Sequence, residues 1–275
     1  MHGSQSQRLV RPGSQLFKWA TTVLMRSADG LLLLSREEQR EFQSFSPHVP
    51  VEVVRNPRPV LPEVETDTRA QLPIILCVSR LIVEKGILDL VSVLPGVARE
   101  NPCRLVLAGE GPDAGRVHAL AAALGVHDLV ELPGYLDDAE LARLYSAADI
   151  FALPTSWHEG FPTVILEAMG VGLPIVTTPS RGQADHLVEG QNVLFVRSGD
   201  REALSGALAR LLADPELRRR MSLANREKVR EFDANPVAEE YLAALDQIVA
   251  ATRHLRRSRR RRRANAGPRS RPTDT

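Results

Sequence analysis

Short apolar runs alternate with longer segments of helical spacing over most of the chain. Most of the runs lack charge and are rich in Val, Ile and Leu, which is typical of parallel strands buried on both faces. The runs that we interpret as strands are 73–78, 104–108, 130–132, 150–154, 174–178 and 192–196. Because strands alternate with helices, the pattern predicts an α/β fold with a doubly wound parallel sheet. Ligands of such sheets bind outside the carboxyl ends of the strands.

The turns that follow these strands carry residues suited to ligand binding. Arg80 and Lys85 follow the first strand. Gly109 and Gly111 follow the second strand, where glycine permits positive φ and close approach of the backbone. The third strand is ended by 133–135, which reads PGY. All these turns lie at one edge of the predicted sheet.

The segment after the fourth strand, EGFPTVILE at 159–167, places two carboxylates eight residues apart. Pro162 suits the first position of a helix, and the free amides of the following turn can bind an anion such as a diphosphate. Glu159 then lies just before the helix and Glu167 one to two turns inside it. Ionised carboxylates accept several hydrogen bonds, so the pair suits sugar and ribose hydroxyls.

In order and spacing, these motifs resemble the C-terminal, donor-binding domain of glycosyltransferase family 4, the retaining enzymes of GT-B fold. The resemblance runs from about Ile74 to Phe232. Its motifs are VSRL at 78–81 with EKG at 84–86, GEGP at 109–112, PGY at 133–135, YSAAD at 145–149 and the two-glutamate segment within 154–172. The implied fold is the Rossmann-like C-terminal half of a GT-B fold, with the N-terminal half mostly missing.

The resemblance implies a role for each matched residue. Arg80 and Lys85 would bind the donor diphosphate, Glu159 the transferred sugar and Glu167 the ribose. The other matched residues would line the donor pocket, mainly through their backbone: Gly109, Gly111, Tyr135, Leu136, Gly160, Phe161, Pro162 and Thr163.

The implied reaction transfers a hexose-type sugar from a UDP-, GDP- or ADP-sugar to an unidentified acceptor, with retention of configuration. Positive groups at the diphosphate would stabilise the charge of the leaving group, so we predict no metal and no cofactor. In the sequence, His, Cys and Asp do not cluster with metal-ligand spacing. The alternative hypothesis is a non-catalytic nucleotide-sugar-binding module, or a subunit that needs a separate acceptor domain.

Two turns depart from the family pattern. SRGQAD at 180–185 replaces the family's paired glycines followed by Glu, which makes substrate contacts there doubtful. The turn at Gly190 lacks a second glycine.

The domain organisation follows from length and composition. Two strands, 30–35 and 51–57, with a helix at 36–42 between them, are predicted near the start, but the residues before Leu61 are too few for a Rossmann-like half. We therefore predict a remnant of the N-terminal acceptor-side domain at 1–60, a donor-binding domain at 61–247 and an Arg-rich, disordered tail at 248–275. A helix is expected over 235–250.

Charge is distributed unevenly. Residues 253–275 contain ten arginines against Asp274 alone, although the chain as a whole has a formal net charge of +1. Such a segment can bind nucleic acid or anionic lipid. Since aromatic residues do not interleave the arginines, we favour a solvated tail and do not expect a nucleic-acid partner.

The start of the chain lacks a signal-like apolar run, which predicts a cytoplasmic protein, with peripheral contact at the inner face of the membrane as an open alternative. Cys77 and Cys103 lie in or next to predicted core strands. We expect both to be reduced packing residues rather than a disulfide.

Overall fold

The computed structural model describes Val23, Val64 and residues 27–62, 72–157 and 160–265, with side chains as far as residue 254, apart from that of Phe45. The chain divides into two compact units. The larger unit is Asn56–Pro236, and the smaller unit combines residues up to Arg55 with those from Val237 onward.

The smaller unit contains two short parallel strands joined through a helix. These are β1 (Leu31–Leu33), α1 (Arg36–Phe45) and β2 (Val51–Val53). Leu31 pairs with Val51 in the parallel register. Ser35 caps α1, because its hydroxyl accepts a hydrogen bond from the Glu38 N–H at 3.2 Å. The predicted strands and helix of this region are confirmed.

A six-stranded sheet forms the larger unit. Its strands are β3 (Ile74–Val78), β4 (Arg104–Ala108), β5 (Val130–Gly134), β6 (Ile150–Leu153), β7 (Ile175–Thr177) and β8 (Val193–Phe195). They run parallel in the order β5-β4-β3-β6-β7-β8. This is the order of a doubly wound Rossmann sheet, and it reverses direction between β3 and β6. The predicted fold class is therefore confirmed.

Helices connect and cover these strands. Their bounds are α2 (Ile87–Glu100), α3 (Ala114–Ala123), α4 (Asp138–Ala147), α5 (Thr163–Val171), α6 (Arg181–His186), α7 (Arg201–Ala213) and α8 (Pro215–Lys228). Asp137 and Glu140 form a reciprocal capping box at the start of α4. Of the two adjacent aspartates, Asp137 and not Asp138 is the cap.

The core lies around the central strands. Leu76, Phe151 and Ala152 are fully buried because helices cover both faces of the sheet. Cys77 and Cys103 are free and buried in this core. Burial raises the pKa of each thiol to about 11, so both stay protonated at neutral pH. The prediction of reduced packing cysteines is confirmed.

The last helix extends further than the sequence predicted. Helix α9 runs over Ala234–Asn265, so the expectation of a disordered tail from residue 248 is wrong as far as Asn265. Arginine and alanine dominate this stretch, and both are good helix formers. Among the helices of the described part of the chain, none is both long and apolar enough to cross a membrane.

Candidate ligand site at the switch point of the sheet

Hydrogen bonds join the two loops on either side of the switch point. The Glu84 carbonyl, after β3, accepts a bond from the Ser156 N–H at 2.7 Å and from the Thr155 hydroxyl at 3.0 Å, both after β6. Gly86 has φ 76°, and a Cβ there would lie 2.4 Å from the Pro154 carbonyl oxygen. Glycine at this position therefore lets the two loops meet.

Two cationic side chains lie on the β3 side of this junction. Arg80 is exposed and Lys85 is half-buried. Lys85 ends a 3-10 helix, Val83–Lys85, whose first N–H donates a 3.0 Å hydrogen bond to the Asp113 carboxylate. The loop that carries both cations is thus held from two directions, by the turn after β6 and by the loop after β4.

Close backbone packing explains the glycines after β4. A Cβ on Gly109 would lie 2.0 Å from the Ser79 carbonyl oxygen, and one on Gly111 would lie 2.2 Å from that of Leu81. Gly109 also has φ 132°, which side chains rarely tolerate. These glycines were expected to admit a nucleotide. In the structure, the absence of a side chain at both glycines makes room for the loop after β3.

The residues after β5 continue the same edge. The carbonyl of Gly134, the last residue of β5, accepts a 2.8 Å hydrogen bond from the Gly109 N–H, which links the end of β5 to the loop after β4. The Tyr135 side chain is 77% exposed, and Leu136 is half-buried. Backbone groups of 135–136 therefore lie at the surface of the edge that carries Arg80.

Helix α5 begins one residue later than predicted. Pro162 is the N-cap, with φ −63° and ψ 130°, and the first helical residue is Thr163. The extended ψ of Pro162 places it outside the helix, which corrects the prediction that it occupies the first helical position. Pro162 provides no side-chain cap, so within the described residues the first amides of α5 can bind an external acceptor.

Phe161 belongs to the core. Its side chain is 5% exposed and packs against Phe232 and His186, with ring centroids 5.3 and 6.0 Å away. The Gly160 carbonyl before it accepts a 2.6 Å hydrogen bond from the Gly182 N–H. The buried side chain of Phe161 thus holds the turn in place, and only the Phe161 backbone can contact a ligand.

The Glu167 carboxylate has a partner that the sequence prediction missed. Tyr145, on α4, is fully buried, and its hydroxyl donates to Glu167 Oε2 at 2.8 Å. The same hydroxyl lies 3.2 Å from the Val164 carbonyl oxygen. This contact holds one carboxylate oxygen of the half-buried Glu167 in a fixed position. The signal available in the sequence was Tyr145 in the YSAAD motif.

The surroundings of Glu167 favour its neutral form. Burial raises the pKa of the carboxyl, the nearby charge of Asp138 raises it further, and the Tyr145 hydrogen bond opposes both. The Tyr145 pKa is also raised well above its usual value, mainly by burial and by the Glu167 charge. The phenol therefore stays protonated and remains a hydrogen-bond donor to Glu167.

Asp149, the final residue of the YSAAD motif, has a structural role. The Asp149 carboxylate accepts a 2.9 Å hydrogen bond from the Ile74 N–H, and the Asp149 N–H donates to the Ile74 carbonyl at 3.0 Å. These bonds join the start of β3 to the residue before β6. The motif thus combines a residue at the candidate site with a residue that fixes the register of the sheet.

The loop after β7, where the sequence departs from the family pattern, contains buried polar groups. Gln183 is fully buried, and its side chain lies 3.2 Å from the Thr177 hydroxyl, which donates to the Leu153 carbonyl at 2.8 Å. Among the described residues, polar atoms here that have no hydrogen-bond partner include Gln183 Nε2, Thr178 Oγ1 and Ser180 Oγ. Such atoms commonly bind an ordered water or a ligand.

Most of the predicted site residues come to one edge of the sheet. Arg80 and Lys85 follow β3, and the residues from Gly160 to Thr163 lie between β6 and the first turn of α5. The remaining ones follow β4 or β5, or lie inside α5: Gly109, Gly111, Tyr135, Leu136 and Glu167. Glu159, with His158 before it, lies outside the described residues. The binding role of each residue stays a prediction.

A metal centre has no support in the described part of the chain. Within it, no three His, Cys, Asp or Glu side chains come close enough together to hold a metal ion.

Comparison with known proteins identifies the family. The family model for glycosyl transferases group 1 matches residues 64–228. The chain belongs to this family. The matched residues include the motifs of the candidate site, from the strand that precedes Arg80 to the helix that contains Glu167.

Individual relatives agree with the family match. A lipopolysaccharide core biosynthesis glycosyltransferase of Rhizobium meliloti, LpsE, is 33% identical over 183 residues, which is 65% of this chain and 51% of the relative. A GDP-mannose-dependent monoacylated alpha-(1-6)-phosphatidylinositol monomannoside mannosyltransferase of Corynebacterium glutamicum is 32% identical over 250 residues, which is 83% of this chain and 64% of the relative. This chain thus spans about half to two thirds of the length of these glycosyltransferases.

Solved structures show the same fold. Anabaena HepE in complex with UDP and glucose aligns with a TM-score of 0.74 and 19% identity, covering 86% of this chain and 68% of HepE. Sucrose-phosphate synthase from Thermosynechococcus elongatus aligns with a TM-score of 0.72 and 25% identity, covering 89% of this chain and 65% of the synthase. The six-stranded sheet therefore has the fold of the C-terminal Rossmann-like domain of GT-B glycosyltransferases.

Proposed function

We propose that this chain supplies the donor-binding half of a retaining glycosyltransferase, which transfers a hexose-type sugar from a nucleotide-diphosphate sugar to an acceptor. The observation that carries the proposal is the junction of the loops after β3 and β6 at the switch point, with Arg80 and Lys85 on one loop. Doubly wound sheets bind nucleotides at this point.

The leaving diphosphate is assigned to the charged groups of the site. Arg80 and Lys85 approach it from the β3 side, and the uncapped start of α5 at Thr163 approaches it from the β6 side. Breaking the bond from the anomeric carbon to the diphosphate leaves negative charge on the phosphate oxygens. Fixed positive groups stabilise that charge as it develops, so the reaction requires no metal.

The nucleoside and the sugar are assigned to the carboxylates and the backbone. Glu167 Oε2 accepts from Tyr145, which leaves Oε1 to accept from a ribose hydroxyl. Glu159 binds the transferred sugar, by its match to the family motif. The backbone of 135–136 contacts the base, and the Gly160 to Thr163 backbone lines the sugar and phosphate site.

The relatives' names indicate which donors and acceptors to test. GDP-mannose and UDP occur in the names of the mannosyltransferase and of the HepE complex, which supports GDP- and UDP-sugars as candidate donors. ADP-sugars are a third candidate, implied by the family resemblance alone. The same names, with lipopolysaccharide core biosynthesis, support a glycolipid or polysaccharide acceptor. We assign residues 1–60 to an acceptor-side domain and 61–247 to donor binding, and we infer that acceptor contacts need a fuller N-terminal domain.

Calorimetric titration tests the proposal. The purified chain is titrated with UDP, GDP and ADP and with their sugar conjugates, in the presence of EDTA. We expect micromolar binding of one nucleotide, with EDTA making no difference. Absence of binding to all three nucleotides would contradict the proposal. Binding that is lost in EDTA would overturn its metal-free part.

Transfer is then measured with a relative's N-terminal domain fused before residue 61. Donor binding without any sugar transfer to the relative's own acceptor would favour the alternative of a non-catalytic nucleotide-sugar-binding module.

A further inference from the structure

Helix α9 exposes a stripe of large apolar side chains. Leu242 is 64% exposed, Leu245 46% and Val249 44%. Their spacing of three and four residues puts them on one face of the helix. A row of three large aliphatic side chains in water on one helix is costly unless something covers it.

A different face of α9 is buried, and two of its residues contact the smaller unit. Val237, Ala244 and Ile248 are buried, and a Cβ on Gly30 would lie 2.3 Å from Ile248. The Thr252 hydroxyl donates to a backbone carbonyl of the same unit at 2.7 Å. The exposed stripe is therefore not the face that attaches the helix to its unit.

Charge is segregated along α9. Its acidic residues lie at or before Asp246, and its arginines lie at or after Arg253. Eight arginines fall between 253 and 263, within the same continuous helix. Positions 253, 256, 260 and 263 continue the three-and-four spacing of the apolar stripe, so the helix carries an apolar segment followed by a strongly basic one.

This combination fits one kind of partner. An anionic lipid surface attracts clustered arginines, and its acyl boundary accommodates exposed aliphatic side chains of a helix that lies in the plane of the membrane. A nucleic acid would engage the arginines but leave the stripe in water, and Phe, Tyr and Trp, on which bases stack, are absent between 242 and 263. The lipid surface alone accounts for both segments.

We propose that the stripe of Leu242, Leu245 and Val249, together with the arginines from 253 to 263, binds membranes rich in anionic lipid. By the rise of an α-helix, this surface is about 30 Å long. The inference goes beyond donor binding and does not depend on it, because the surface lies outside the candidate ligand site.

Vesicle co-sedimentation tests the inference on the full chain. The chain is mixed with phosphatidylcholine vesicles, or with vesicles in which phosphatidylglycerol replaces part of the phosphatidylcholine, at low and at high salt. We expect sedimentation with the anionic vesicles only. High salt should release the chain because it screens the arginines.

Matched variants separate the two segments of the surface. Arg259→Gln with Arg260→Gln should lower the partition coefficient on the order of tenfold or more, since each arginine near an anionic surface contributes separately. Its control is Arg219→Gln with Arg220→Gln, two exposed arginines of α8, which should leave partitioning unchanged. Leu245→Gln should weaken binding several-fold, whereas Leu223→Gln, on α8 and 59% exposed, should not.

Other outcomes would overturn the proposal. These are equal binding to zwitterionic vesicles, no binding to anionic ones, or equal effects of the α9 and α8 variants. Two alternative partners have their own readouts: co-purifying nucleic acid that nuclease removes, and self-association in sedimentation velocity that Leu245→Gln abolishes. Circular dichroism checks that each variant keeps the helical content of the wild-type chain.

Discussion

The two sides of the switch point are built differently. On the β3 to β5 side, backbone shape holds the loops together, since a Cβ on Gly109 or Gly111 would overlap a neighbouring carbonyl oxygen. On the β6 to β7 side, side chains make the connections: Tyr145 donates to Glu167, and Gln183 is buried with an unpartnered amide nitrogen. Backbone changes on the first side should therefore lower stability, and side-chain changes on the second should alter binding.

Gly109→Ala should have the largest effect on stability. The new Cβ meets the Ser79 carbonyl at 2.0 Å in a backbone conformation that alanine disfavours, so we expect a loss of about 3 kcal/mol in the free energy of unfolding. Urea unfolding measures it. The control is Gly115→Ala in α3, where nothing lies within 4 Å, and which should be neutral or slightly stabilising. Equal stability of the two variants would show that close backbone packing at Gly109 does not hold the loops together.

Arg80→Ala and Lys85→Ala should each weaken diphosphate binding by about 2 kcal/mol without unfolding the chain, because each removes a charge-assisted contact. Binding of the variants should also depend less on salt. Calorimetry at two salt concentrations measures both effects. Arg99→Ala, an exposed arginine near the far end of α2, is the control. Unchanged diphosphate binding in both variants would show that the phosphates bind elsewhere.

Glu167→Ala should weaken nucleotide binding by about 1–3 kcal/mol, and Tyr145→Phe by about 1 kcal/mol. Both should reduce the preference for a ribonucleotide over its deoxyribonucleotide. The carboxylate is absent in the first variant and loses the hydrogen bond that fixes its position in the second. Tyr241→Phe removes a hydroxyl on α9 and serves as the control. An unchanged preference in Tyr145→Phe would show that Tyr145 only supports the fold.

Glu159→Ala should mainly weaken sugar discrimination. We expect the free nucleotide to bind as it does to the wild-type chain, while the added affinity from the sugar falls. Titration with a nucleotide and its sugar conjugate measures the difference. Equal losses in Glu159→Ala and Glu167→Ala would contradict the separate roles.

The pH dependence should be the smallest effect, with opposite signs for stability and binding. Burial raises the pKa of Glu167 above 4.5, so its contribution to stability is present below that pH and is lost as pH rises through the folded pKa. The stability of wild type relative to Glu167→Gln should therefore fall as pH rises. Nucleotide binding should instead strengthen, because the ionised carboxylate accepts from the ribose. Urea unfolding and calorimetry over the same pH range test both signs.

Elements with a strong local pattern were predictable from the sequence. The strands of the sheet are apolar runs that end in Gly, Pro or charged residues, and their predicted bounds agree closely with β3, β4 and β6. Arg80, Lys85 and the turn before α5 could be placed at one edge because parallel strands share the direction of their carboxyl ends.

Contacts between distant residues were not predictable in the same way. The Tyr145 to Glu167 hydrogen bond depends on how α4 packs beside α5, which no local spacing encodes. The packing of Gly109 against Ser79 likewise joins two loops. The length of α9 was underestimated because its charge was read as a sign of disorder, although arginine favours helix.

Hydrogen–deuterium exchange with and without the nucleotide that binds in calorimetry tests whether the donor site lies at the switch point. We expect slower exchange in 79–86 and 154–167, on the two sides of the switch point, with smaller changes at 109–111 and 134–136. Protection confined to α6, α7 and α8, or to the smaller unit, would contradict a donor site at the switch point.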